Sequence, residues 1–312
     1  MQPVNASAGG PASPGPLDVL CVGHASYDLV FAVPHHPAAD EKIFADQLVA
    51  CGGGPAANAA VTVARLGGRA AFGGFLGSDL YGDAHFRELA EAGVETRHVV
   101  RGPFPTPLSA VLVKPDGSRA LVNHKGATPA LSPGQLSLSP DTAKVLLLDG
   151  HEPLVSVALA KTARRLGVSV VLDAGSVHPG TSALHDKVDC LACSEKFARQ
   201  YLGGKDENRA LQVLGELAPA VVITLGDHGL VWRRGAESGK LPAFAVAAVD
   251  STGAGDAFHG ALALAFAREL AWEDSLRFAS AAGALCCTRM GARTGIPLAI
   301  DVERLMQLGQ AA

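Results

Sequence analysis

The sequence has no basic run, few aromatic residues and no apolar stretch long enough to cross a bilayer. Lys and Arg total 26 against 30 Asp and Glu, a formal charge of −4, so no stripe of charge follows a nucleic-acid backbone or an anionic membrane. Even the most apolar stretch, 254–270, is broken by Asp256, His259, Arg268 and Glu269, which rules it out as a span. Residues 1–16 lack the charged start and apolar block of a secretory signal and read as a disordered tail. Six cysteines in 312 residues are not a disulfide framework. Most fall in apolar surroundings and are expected to be buried free thiols, which points to the cytoplasm. Cys190 and Cys193 form a Cys-x-x-Cys pair without a second ligand pair nearby, so zinc is not expected.

What the chain has instead is small and apolar: 36 glycines, abundant alanine, and 48% apolar residues overall. That suits an α/β protein with many tight strand–helix turns and a sizeable core. Residues 17–23 and 70–76 read as buried strands, with a helix over 55–66 ending at Gly67-Gly68. A helix over 82–92 follows. Alternation resumes at 145–149 (strand), 153–166 (helix), 168–173 (strand), 190–193 (strand), 194–202 and 208–217 (helices) and 220–224 (strand). Two long helices, 255–270 and 273–290, end the chain. This order predicts a mostly parallel sheet covered on both faces. Two segments break it: 28–48, and the hairpin signal Lys114-Pro-Asp-Gly-Ser118 between short strands. Together they predict a small β flap beside the main sheet.

The chemistry concentrates in Asp250-Ser-Thr-Gly-Ala-Gly-Asp256. A run of tiny residues opens a long apolar helix, whose exposed amides attract anions. A carboxylate there repels a phosphate, unless Asp256 takes a proton from a nucleophilic hydroxyl while the amides of Gly253, Ala254 and Gly255 hold charge on a transferring phosphoryl group. The plain alternative is an acid in a helix's first turn, a common role. That alternative leaves the three tiny residues and the Ser251-Thr252 pair unexplained. A second string, Cys51-Gly-Gly-Gly-Pro-Ala-Ala-Asn58, enters the helix at 55. Glycines alone say little, but an amide one turn into an Ala/Val helix needs a partner, and a polyol hydroxyl is expected.

From Leu20 to Pro297 the two strings, in their order and spacing, resemble the signatures of the PfkB (ribokinase-like) carbohydrate and nucleoside kinases. The resemblance implies a ribokinase-like three-layer αβα fold with a small β-sheet lid: a kinase domain over 17–312 with lid segments at about 28–48 and 100–125. It also implies phosphoryl transfer from ATP to a sugar hydroxyl, usually a primary CH2OH, with Asp256 as base and the 253–255 loop as anion hole. By the same resemblance, Asp28, in a turn after the first strand, with Gly54, Asn58 and His151, lines the acceptor pocket. Ser194, Thr224, Gly226 and Gly229 border the nucleotide. Asp250, Thr252, Cys286, Arg289, Gly291 and Gly295 match positions around a monovalent cation such as K+, mostly through backbone carbonyls. An ordinary Asp, with a pKa of about 3.9, is ionised at neutral pH and fit for the base role. One departure touches Mg2+: relatives carry Asn-x-x-Glu where this chain has Ser194-Glu195-Lys196-Phe197. Either Glu195 substitutes, or phosphates and water hold the metal.

Other strings carry less. Gly235-Ala-Glu-Ser-Gly-Lys-Leu241 imitates a P-loop but is one residue short and lacks the hydroxyl after Lys240. Phe258-His259-Gly260 and Cys287–Pro297 resemble the bacterial sulfofructose kinases of this family, but such strings line the common core. An anionic acceptor needs Arg or Lys, and Gly150-His-Glu-Pro153 offers none, so an uncharged ketose or pentose is expected. Arg101, Arg119 and Lys125, near the flap, are the residues that would overturn this. A nucleoside acceptor is disfavoured by the few aromatics in and beside the flap. A non-catalytic binder on the same fold stays open through Phe197. Open flap edges invite pairing, so a homodimer through the lid is expected.

Overall fold

β1 (Leu17–Val22) is apolar except at Asp18 because both of its faces are covered. Val19 and Cys21 join one buried cluster, Leu20 and Val22 another, as the period-two geometry of a strand requires. A computed structural model describes residues 16–308 apart from residue 137. The tail expected over 1–16 lies, except for Pro16, outside the described residues.

In chain order, β2 (Ser26–Ala32) and β3 (Gln47–Gly53) precede α1 (Pro55–Arg65), β4 (Ala70–Gly77) and α2 (Leu80–Glu91). β5 (Val99–Gly102), β6 (Leu108–Val113) and β7 (Arg119–His124) follow, then β8 (Ala143–Leu148), α3 (Pro153–Leu166), β9 (Ser169–Ala174) and α4 (Pro179–Leu184). Next come β10 (Cys190–Ser194), α5 (Glu195–Leu202), α6 (Glu207–Leu214), β11 (Ala220–Thr224), β12 (Leu230–Arg234) and β13 (Glu237–Leu241). α7 (Ala254–Ala267), α8 (Trp272–Cys286), α9 (Ala292–Gly295) and α10 (Ala299–Leu308) complete the chain.

The main sheet has nine strands in the order β13-β12-β11-β10-β9-β8-β1-β4-β5. It is parallel from β11 to β5, and at one edge β12 runs antiparallel to both β11 and β13. The first buried cluster joins the sheet to α1, α2, α7 and α8, and the second joins it to α3, α4, α5 and α6. A separate four-stranded sheet, β3-β2-β6-β7, forms the lid. The mostly parallel sheet between helix layers and the small second sheet agree with the architecture read from the sequence.

Two placements differ from it. Asp28 belongs to lid strand β2, not to a turn after β1. The P-loop imitation at 235–241 forms the turn and second strand of the β12–β13 hairpin, an antiparallel pair that the β-α alternation gave no hint of.

α7 is apolar nearly all round, so it is buried on every side; from Ala257 to Ala265 all its side chains are inside. It crosses α1 closely: a Cβ added to Gly260 would lie 2.6 Å from the Ala59 carbonyl oxygen. Gly260→Val is therefore expected to lower unfolding free energy by about 1–3 kcal/mol in chemical denaturation. A variant as stable as the wild type would show that the two helices can separate without cost.

Candidate active site

Two helix starts meet at the crevice beyond the carboxyl ends of the parallel strands, where ligands of such sheets bind. α1 begins at Gly54, whose φ of 93° and a would-be Cβ contact of 2.6 Å with Ala25 Cα exclude other residues. α7 begins at Gly253, with φ 79° and Ala292 Cβ 2.4 Å from its would-be Cβ. No side chain caps α7, so amide N–H groups at its start lack a local side-chain acceptor. The Ala254 amide donates to the Ser251 carbonyl at 3.3 Å.

Asp149, at the end of β8, pins this end of the sheet together. It is buried, and it accepts from the amides of His24 (2.7 Å), Ala56 (3.2 Å) and His151 (2.9 Å). One carboxylate thus ties the β1 turn, the first turn of α1 and the loop after β8. Its place after a predicted strand puts it at the crevice, but the sequence carries no signal for the three amides it holds.

Asp256 lies in the first turn of α7. Asn58 Nδ2 donates to its Oδ2 at 2.7 Å, and Arg293 Nη2 donates to Asn58 Oδ1 at 3.3 Å. The amide reserved for a sugar hydroxyl therefore has both ends engaged within the protein, one by the carboxylate. Arg293 is itself buried, lies 3.0 Å from His85 Nε2 and was not anticipated. Burial, then the charge of nearby Asp173, pushes the Asp256 carboxyl up to about 6, against the Asn58 hydrogen bond and the His259 charge. The expectation of an ordinary carboxyl is corrected: desolvation outweighs its donors.

Asp28 faces the same region from the lid. Ser26 Oγ donates to it at 2.8 Å, and burial raises its carboxyl above the ordinary range against hydrogen bonds from Ser26 and Ser109. A Cβ on Gly53 would fall 2.1 Å from Asp28 Oδ2, so the β3 glycine lets the acid reach its place. The His151 ring stacks on His178 at 4.7 Å and tilts against His24 at 5.2 Å. These rings follow β8, β9 and β1, three neighbours in the sheet. Burial, then neighbouring His151 and Lys125, lowers His24 to about 3.

Ser194 and Thr224 are register partners at the ends of β10 and β11. Ser194 caps α5, accepting from the Phe197 amide at 3.1 Å and donating to the Gly175 carbonyl. Gly226 and Gly229 hold the following turn at positive φ. Phe197 is wholly buried against Tyr201, and Glu195 pairs with Arg199. The Glu195 charge is turned to its own helix.

The residues matched to a cation site gather behind the α7 turn. Asp250 is fully buried; its Oδ1 accepts from the Thr252 amide and hydroxyl, and its Oδ2 from the Gly291 amide. The carbonyls of Thr252 and Ala292 each lie 3.7 Å from Cys286 Sγ. A Cβ on Gly295 would meet the Cys286 carbonyl at 2.1 Å. Arg289 is exposed at the edge of this group. A thiol is a weak donor, so these carbonyls keep acceptor capacity that suits a large monovalent cation.

A carboxylate beside uncapped amides, on a sheet of this topology, is an arrangement that suits phosphoryl transfer. The model of the pfkB family of carbohydrate kinases matches residues 17–299, and the chain belongs to that family. It is 30% identical to ribokinase of Bacillus subtilis, covering 93% of this chain and 99% of that one. The solved ribokinase of Thermotoga maritima matches with a TM-score of 0.81 at 28% identity, over 93% of this chain and 99% of its own. Arabidopsis thaliana ribokinase complexed with ribose and ATP matches with a TM-score of 0.81 at 27% identity, over 94% and 99%.

Followed by carbon-detected NMR, the Asp256 carboxyl should titrate well above an exposed aspartate. Asn58→Leu, which removes its donor, should move that midpoint further up. A midpoint near 4 in either protein would contradict the desolvated environment described above.

Proposed function

We propose that the protein transfers the γ-phosphoryl group of ATP to a hydroxyl, usually primary, of an uncharged ketose or pentose. The observation that carries this reading is the first turn of α7, where Asp256 stands among amides no side chain caps. Asn58 holds Oδ2, and Oδ1 takes the hydroxyl proton as the sugar oxygen attacks phosphorus. The new O–P bond forms while the bond from phosphorus to the β,γ-bridging oxygen breaks, and ADP leaves with that electron pair. Because the Ala254 amide already donates to Ser251, the anion hole would draw on the amides of Gly253, Gly255 and Asp256. Such transfer needs positioning and charge neutralisation more than covalent help.

The nucleotide would run along Ser194, Thr224, Gly226 and Gly229; the plant ribokinase of similar fold is itself complexed with ATP. Mg2+ would neutralise phosphate charge and, with Phe197 buried, would be held by phosphates and water. K+ would sit among the carbonyls of Thr252, Ala292 and their neighbours and fix the α7 turn. For the acceptor, Asp28 supplies an acid able to bind hydroxyls, and His151 would line the pocket from the strand ends, with His24 and His178 against its ring. Arg101 is bound to Gly77 and Asp83, and Arg119 to Ser251. Lys125 faces His24 and Glu152, and the Glu152 charge offsets it. That balance favours an uncharged sugar. The lid would also pair two copies: Phe44, Leu48, Leu121 and Val122 are exposed apolar residues on it or its connection.

ADP release with a panel of ribose, fructose, nucleosides and ketoses bearing a sulfonate or phosphate tests the reading. Turnover with a neutral sugar is expected; turnover confined to the anionic sugars would overturn the acceptor class, and silence throughout would favour a binder. Asp256→Asn should lower kcat by roughly 10²–10⁴ with ATP binding retained. Because protonation removes the base, kcat/KM should fall as the pH drops through about 6. Light scattering should report a dimer that Leu48→Asp converts to monomer; a monomeric wild type would remove the lid interface.

A further inference from the structure

Beneath the α7 turn lies a His–Asp pair that no phosphoryl-transfer step requires by itself. His259 and Asp173 are almost wholly inside the protein, with side chains 4% and 6% exposed, and His259 Nδ1 lies 3.1 Å from Asp173 Oδ2. No hydrogen-bond donor among the described residues satisfies that oxygen, so a neutral ring would leave the buried carboxylate without a compensating charge. Burial opposes a charge on the ring, but the Asp173 carboxylate, with the Asp256 charge, raises His259 above its ordinary range.

The location gives this cation a use. His259 is three residues beyond Asp256 on α7, hence on the same side of the helix. Its Cε1 would lie 3.9 Å from a Cβ placed on Gly255, so the ring sits directly behind the proposed anion hole. We propose that His259 is a buried imidazolium, fixed by Asp173, that acts as a positioning residue: a permanent positive charge behind the base and the adjoining amides. The inference rests on Asp256 being the base. Around Asp256 stand Asp173 from β9, Asp28 from β2, Asn58 from α1 with Arg293 behind it, and Cys286 from α8. The two acids favour a protonated Asp256, and His259 opposes them from closest along its own helix. It favours the ionised carboxylate, and it adds positive potential where phosphoryl charge develops.

The first experiment needs no activity. Ring-nitrogen NMR of the full-length 15N-labelled protein at pH 7.5, with His259 assigned by the loss of its signals in His259→Gln or His259→Asn, should show both nitrogens protonated. A neutral tautomer overturns the proposal. The second follows kcat/KM against pH. His259→Gln leaves the Asp173 charge uncompensated, so the acid limb should move up by about one pH unit. Asp173→Asn/His259→Gln removes both charges and should bring the limb back toward the wild-type position. A purely structural pair would lower activity at every pH without moving the limb. An active wild type whose limb His259→Gln leaves in place overturns this proposal alone. A wild type with no kinase activity overturns the base assignment and the proposal with it.

Discussion

The 2.7 Å hydrogen bond from Asn58 to Asp256 joins the two helix starts on which the site is built. For it to form, α1 and α7 must each begin at the crevice and run back across the same face of the sheet at close range. Small residues make this possible. Gly260 against Ala59 sets the distance between the helices, and alanines make up half of the buried residues of each. The glycines at 54 and 253 then turn the chain into each helix with backbone angles other residues resist. Close packing and catalysis therefore share one cause: a bulkier seam would part the amide from the carboxylate.

The site is assembled from charges that are satisfied in sequence rather than pair by pair. Arg293 reaches Asn58, Asn58 reaches Asp256, and Asp256 shares its surroundings with Asp173, which holds His259. In a buried setting each unpaired member would carry a large desolvation cost, so loss of one alters the protonation of the rest. Asp149 and Asp250 play a different part. Each spends its oxygens on backbone amides from separate segments, and so fixes the loops on which the titrating groups stand.

Most of the layered architecture was legible because buried parallel strands and amphipathic helices carry strong periodic signals. The helix at 153–166 and the strand at 220–224 were read to the residue. The Pro-Asp-Gly turn announced the β6–β7 hairpin. The β12–β13 edge pair escaped, since its strand Glu-Ser-Gly-Lys-Leu is polar and stands partly exposed. In the site, Asp256 and Asn58 were found from the strings around them, and Asp28 through the family resemblance. Arg293 was not found, and neither were the partners of Asp149 and Asp173 at their strand ends, because each works through residues on other elements. Periodicity cannot show such a pairing. The partner of Asn58 was misassigned for the same reason: the chain shows that a buried amide needs a partner, but not which one folding supplies.

Phe197 shows how a local change can be absorbed by the layers beneath it. The position lies on the inner side of α5, and its ring is buried in the cluster that packs α5 and α6 on the sheet. An acid in that rotamer would be an uncompensated buried charge, so phenylalanine here stabilises the helix layer at the expense of a carboxylate near the crevice. Ser194 still caps the helix, leaving the start of α5 aimed toward the same strand ends as Thr224. Negative charge arriving there would meet a helix N-terminus rather than a side chain. On the proposed reading, that favours a metal carried in with the phosphates over one the protein holds in advance. It also shifts the work of charge neutralisation toward α7, where the amides and the His259 cation lie.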